Sequence, residues 1–134
     1  MSVIDELITD REEGSFYNAS DLNRVGEAAA YLSDRLALIG IRREAPAMRT
    51  DWTAADIPSA GQMEAYLSAV AEIREAVRDY RPEAALPESM RFLDWEGANE
   101  IERLLSECET MIKRVLLSLR GYAGRVRSGG NGLP

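Results

Sequence analysis

The sequence predicts an all-α fold: a three-helix bundle with long connections, a short N-terminal arm and a Gly/Arg-rich C-terminal tail. Three observations carry this prediction. Apolar residues recur at alternating three- and four-residue steps in three separate stretches, the spacing that lines one face of a helix. Capping signals stand at the start of each stretch. Glycine or proline punctuates the ends, as at Gly40, Pro58 and Pro82. A chain of 134 residues is of single-domain size, so the expected organisation is an arm over 1–17, a bundle over 18–122 and a tail over 123–134.

The arm holds a short apolar cluster, Val3, Ile4, Leu7 and Ile8, followed by Thr9-Asp10-Arg11. A segment this short cannot sustain a helix by itself, and it is expected to lie on the bundle or on another chain. The first helix is expected from about Ser20 to Leu38, capped by Asn18 or Ser20 and closed at Gly40. Its seam is Leu22, Val25, Ala29, Leu32, Leu36 and Ile39. In the connection 41–58, Thr53 and Asp56 have the spacing of a capping pair and predict one helical turn before Pro58. Trp52 in this connection reads as a lid over the end of the core, with a recognition role as the other reading.

Ser59 and Gln62 form a capping box for the second helix, whose seam runs Met63, Tyr66, Val70, Ile73, Val77, Tyr80. The alternating acids and arginines on its other side read as a solvated face. Arg81-Pro82 ends it, and Pro87 prevents regular helix across the next connection, in which Phe92 and Leu93 are expected to be anchors. Asp94 then caps the third and longest helix, to Tyr122, with a seam of Ala98, Ile101, Leu105, Cys108, Ile112, Val115, Leu119 and Tyr122. Up-down-up order is the default for such a bundle, although connections this long can also run back along it. The tail, with five glycines after residue 120, is not expected to order itself.

A net charge of −7 disfavours nonspecific attachment to phosphate backbones or anionic lipid. The third helix is nonetheless graded. Asp94, Glu96, Glu100, Glu102, Glu107 and Glu109 precede Lys113, Arg114, Arg120, Arg125 and Arg127, and no acid follows Glu109. This order complements a helix dipole, and it also builds a cationic end suited to an acidic partner. Histidine is absent, which removes the usual general base and the usual metal ligand. Glu100, Glu107 and Glu109 therefore do not make a bundle-type carboxylate metal site. Cys108, the single cysteine, sits on the seam and reads as a small buried hydrophobe. With no phosphate-binding glycine loop and no activated nucleophile, the expectation is a non-enzyme without cofactor, metal or small-molecule substrate. The arginines around Tyr122 are too thin a patch for nucleic acid. The acidic N-terminus has no signal-peptide pattern and no window suits a membrane, so synthesis in the cytoplasm is expected.

Three passages are more specific than a generic bundle requires: YNASDLNRVGEAAAYLSDRL (Tyr17 to Leu36), TDWTAADIPSAGQMEAYL (Thr50 to Leu67) and WEGANEIERLL (Trp95 to Leu105). In that order they resemble a group of small helical proteins and domains encoded among the tail and virion structural genes of phages and prophages of Firmicutes. The resemblance implies a structural role in a phage tail or allied particle, with other phage structural proteins or further copies of the chain as partners, and a final location in the virion. It implies no catalytic residues. The chain departs from the group at both ends: the segment before Tyr17 is shorter, and the C-terminus is the basic GYAGRVRSGG where the relatives have tyrosine and glutamate. Partner contacts are therefore expected at Thr9, Asp10, Arg11, Trp52, Tyr122, Arg125 and Arg127. The alternative is a cytoplasmic adaptor module that binds one protein.

Overall fold

The computed structural model describes residues 3–13, 17–41 and 48–129, with side chains to residue 119. Among these residues the architecture is all-helical, with three α-helices: α1 (Ala19–Leu38), α2 (Ala60–Ala76) and α3 (Trp95–Gly129). Short 3-10 turns occur at Val3–Glu6 and Arg78–Tyr80.

Local chemistry explains the helix starts. The Asn18 side chain accepts the N–H groups of Ser20 (3.0 Å) and Asp21 (3.3 Å), while the Asp21 carboxylate accepts the Asn18 N–H at 2.7 Å. Asn18, of the two candidates, is thus the cap of α1. Ser59 and Gln62 exchange the reciprocal bonds of a capping box at 3.1 and 2.8 Å, and Asp94 accepts the Gly97 N–H at 2.8 Å. Each bond satisfies a donor that the first helical turn cannot pair internally. At the other end of α1, Ile41 donates to Leu36 (3.0 Å) and Gly40 to Ala37 (3.2 Å). This closing motif needs a left-handed residue, and Gly40 supplies φ +87°.

Three boundaries differ from expectation. Regular helix in α2 stops at Ala76, and the chain tightens to a 3-10 turn before Arg81 turns left-handed (φ 54°) ahead of Pro82. The proline ring disfavours α geometry at the residue before it, so the expected last turn of helix is lost. Thr53 and Asp56 make a reverse turn closed by the Asp56 N–H to the Thr53 carbonyl at 3.0 Å, not a turn of helix. Finally, α3 does not stop at Tyr122 but continues through Gly129. A glycine costs only about 1 kcal/mol in a helix that is already nucleated, so Gly121 and Gly124 weaken the helix without ending it.

The helices run in the same direction, which corrects the up-down-up default. Arg24 pairs with Glu102, and farther along both helices Arg35 pairs with Glu109, so α1 and α3 are parallel. Residues 48–52 run back along α1: Gly26 faces Arg49 and Thr50, and Trp52 lies beside Asn23. Connection 81–94 returns along α2 and α3, with the Glu83 and Ala84 N–H groups on Glu107 and the Ser89 hydroxyl on Glu64. An antiparallel neighbour can be reached in a few residues, whereas a parallel one requires the chain to retrace a helix length.

The core is contributed by Val25, Ala28, Leu32 and Leu36 of α1, Leu67, Val70 and Ile73 of α2, and Ile101, Leu104, Leu105, Cys108 and Ile112 of α3. Val3, Ile4 and Leu7 pack the arm onto this cluster, so the bundle itself is what the arm lies against. Three expected seam residues leave the core: Tyr80 is 46% exposed, Leu119 is 51% exposed, and Val115 is half-buried while its neighbour Leu116 packs on the core instead. Leu119 lies ten residues past Glu109, the partner of Arg35 near the end of α1, so among the described residues α1 does not reach it. Phe92, expected to be an anchor, is 88% exposed. Its neighbours Met90 and Leu93 take the inward positions, and Phe92 is turned out at φ 59°, a conformation that costs a bulky residue about 1–3 kcal/mol.

Gly26 marks the tightest approach of a connection to a helix. A Cβ there would lie 3.0 Å from the Arg49 carbonyl oxygen and 3.0 Å from the Thr50 Cγ2. Gly26→Ala is expected to lower unfolding free energy by about 1–2 kcal/mol despite the better helix propensity of alanine. Chemical denaturation checks this, and a stabilised variant would show that 48–52 does not press on α1.

Candidate functional site: a buried ion network

The densest polar constellation lies where the arm, α1 and α3 meet. Glu102 is fully buried and Asp21 is 5% exposed, yet both carboxylates are completely engaged. One Glu102 oxygen accepts the Ile8 N–H at 3.0 Å and Arg24 Nε at 2.7 Å; the other accepts Arg24 Nη2 at 2.8 Å and a short bond from Arg11. Asp21 accepts Arg11 Nη2 at 2.9 Å, and also Arg24 and the Asn18 N–H. Two cations and two anions therefore neutralise one another away from water.

Asn99 fixes the arm beside this network. Its side chain accepts the Arg11 N–H at 2.9 Å and donates to the Arg11 carbonyl at 3.1 Å, as a neighbouring strand would. The Arg11 guanidinium also bonds the Ile8 carbonyl at 2.9 Å and lies 5.4 Å from the Tyr17 ring centroid. Tyr17 in turn meets Tyr66 of α2 edge-on and hydroxyl to hydroxyl. The arm and the three helices are thus joined through one chain of polar contacts.

The ionisation properties of these groups favour structure over reactivity. Burial works against charge on Asp21, but the Asn18 N–H and the two arginines outweigh it and hold the carboxyl below its ordinary value. Arg24 is raised, chiefly by its bond to Glu102. Burial raises both the Tyr17 and Tyr66 hydroxyls. It also pushes the Cys108 thiol up to about 12, so the thiol stays protonated and poorly nucleophilic at neutral pH. No cluster of potential metal ligands occurs among the described residues, and no helix among them is long and apolar enough to cross a membrane.

Of the residues expected to contact partners, the four whose side chains are described do not form one surface. Thr9 and Asp10 are exposed on the arm, but the Arg11 side chain is only 5% exposed and points into the network. Trp52 is 8% exposed. Asn23 clasps its backbone by two bonds of 2.8 and 2.9 Å, and Arg49 covers its ring at 4.3 Å, the arrangement of a lid. The side chains of Tyr122, Arg125 and Arg127 lie outside the described residues. Sequence reading placed Glu102 in the acidic half of α3 and missed its burial. The available signal was register: Glu102 and Glu109 are seven apart, each directly following a seam residue, Ile101 or Cys108.

Comparison with protein-family models, with curated proteins and with solved structures yields no match.

Because the folded Asp21 carboxyl titrates below its unfolded value of about 3.9, its stabilising effect is fully present above that pH and is lost as pH falls further. Thermal unfolding between pH 7 and pH 2 should show stability declining below about pH 4. Asp21→Asn should be less stable at pH 7 and should show a flatter decline. An unchanged acid profile in that variant would remove Asp21 from the account.

Proposed function

We propose that this chain is a non-catalytic structural module of a phage or prophage particle, associated with the tail, that works by holding neighbouring subunits together. The observation that carries this reading is the continuation of α3 beyond the bundle. α1 ends at Leu38 and α2 at Ala76, alongside the middle of α3, whereas α3 runs on to Gly129. Leu117 and Leu119 on this extension are 62% and 51% exposed, and Lys113 and Arg114, on the same side of the helix as Leu117, are exposed as well. A helix that leaves its own core with large apolar residues in water is suited to another protein surface.

Two further features support the reading. The buried charges contact one another and the arm, which makes them a clamp within the chain. The three passages beginning at Tyr17, Thr50 and Trp95 resemble phage tail and virion structural proteins. Mass spectrometry of purified particles from a strain that expresses the chain tests the proposal. The protein should be present at a level comparable to other structural components. Its absence from intact particles, with the protein abundant in the lysate, would overturn the reading and favour an adaptor that never joins a particle.

A further inference from the structure

We infer that the two ends of the bundle are complementary, and that the occupant of the α3 extension is the opposite end of a second copy of this chain. Parallel topology is the origin of the asymmetry. With all three helices pointing the same way, every helix start lies at one end, and among the described residues α3 alone runs on past the other.

The start end carries exposed apolar side chains set among acids. Ile57 directly precedes the Pro58-Ser59 start of α2 and is 91% exposed; Phe92 precedes the Asp94 cap of α3 and is 88% exposed. Arg91 covers one face of the Phe92 ring at 5.0 Å, yet the ring remains in water. Phe92 is also held out in a left-handed conformation. Such strain, at a residue with no packing role within its own chain, is a mark of function at an exposed position. At the same end, Asp10, Glu12, Asp94 and Glu96 are all exposed. Asp10 and Glu12 are fixed at this end because Arg11 between them is bonded to Asn99 near the start of α3.

The exit end has the converse composition. Along the α3 extension Lys113, Arg114 and Leu117 are exposed on one side and Leu119 on the other, and α3 carries no acid after Glu109. Apolar contacts at both ends supply association, while opposite charges select and orient the pairing. Two copies of the same end would repel, which disfavours a dimer built on like ends. Stacked end to end along one axis, the start-to-exit contact is heterologous: each added copy leaves one end of each kind free, so growth continues past the dimer unless a ring of three or more copies closes. The inference does not rest on the chain's being a particle component, since it concerns the purified protein alone.

Sedimentation equilibrium of the full-length chain, with two variants, tests it. Wild-type protein should show a weight-average mass that rises with concentration beyond the dimer. The association should weaken as salt goes from about 0.1 to about 1 M and the screening length falls from about 10 to about 3 Å. Ile57→Glu/Phe92→Glu and Leu117→Glu/Leu119→Glu change exposed side chains, so both should keep the wild-type circular dichroism. Each alone should associate at least tenfold more weakly than wild type. Mixed, they should form a one-to-one complex that stops at two chains, because only one intact pair of ends remains. A wild-type chain that stays monomeric up to about 1 mM, a closed dimer, or variants that fail to pair when the wild type associates would each overturn the inference.

Discussion

The Glu102 carboxylate is the constraint on which the rest of the structure depends. A buried charge without partners is prohibitively costly, so once the α3 seam carries Glu102 inward the surrounding chain must supply donors. It does so from two directions, Arg24 on α1 and Arg11 with the Ile8 amide on the arm. Replacing such a set by well-packed apolar residues can be neutral or stabilising, whereas removing one partner typically costs about 3–5 kcal/mol. The network is therefore best understood as a device for register. It allows one placement of the arm against α1 and α3, where apolar contact by Val3, Ile4 and Leu7 alone could slide.

Parallel packing is a second constraint, and it accounts for the connections. Each link must retrace a helix length, and the retraced backbone needs its polar groups satisfied. Asn23 performs this for Trp52, and Glu107 for Glu83 and Ala84. Gly26 makes room for the first return and the inward residues Ala84 and Met90 anchor the second. What results is a bundle whose ends differ, one gathering three helix starts and the other releasing a single helix.

Much of this was legible in the sequence where short-range rules decide. Seam spacing located the helices, Ser59-Gln62 and Asp94 gave their starts, and Gly40 gave a stop, because caps and periodicity depend on residues a few positions apart. Trp52 takes the inward one of the two positions its size and place in a connection allowed. Helix direction was not legible, since three-four spacing is the same whichever way a neighbour runs; the lengths of 41–58 and 81–94 were the only trace of it. Glu102 looked like one acid among many on a graded helix, and its burial depends on Arg11, more than ninety positions away. Phe92 looked like an anchor because hydrophobicity does not report which of Met90, Phe92 and Leu93 the backbone turns outward.

The most direct measurement is hydrogen exchange at the Ile8 and Arg11 amides in the wild type and in Glu102→Gln. Ile8 donates to Glu102 and Arg11 to Asn99, so both report whether the arm is locked. The wild type should protect both amides, and the variant should lose at least tenfold of that protection at the arm while amides in the core of α1 and α3 remain protected. Arm amides that exchange as freely as an unstructured peptide in the wild type, or that keep full protection in the variant, would contradict the account.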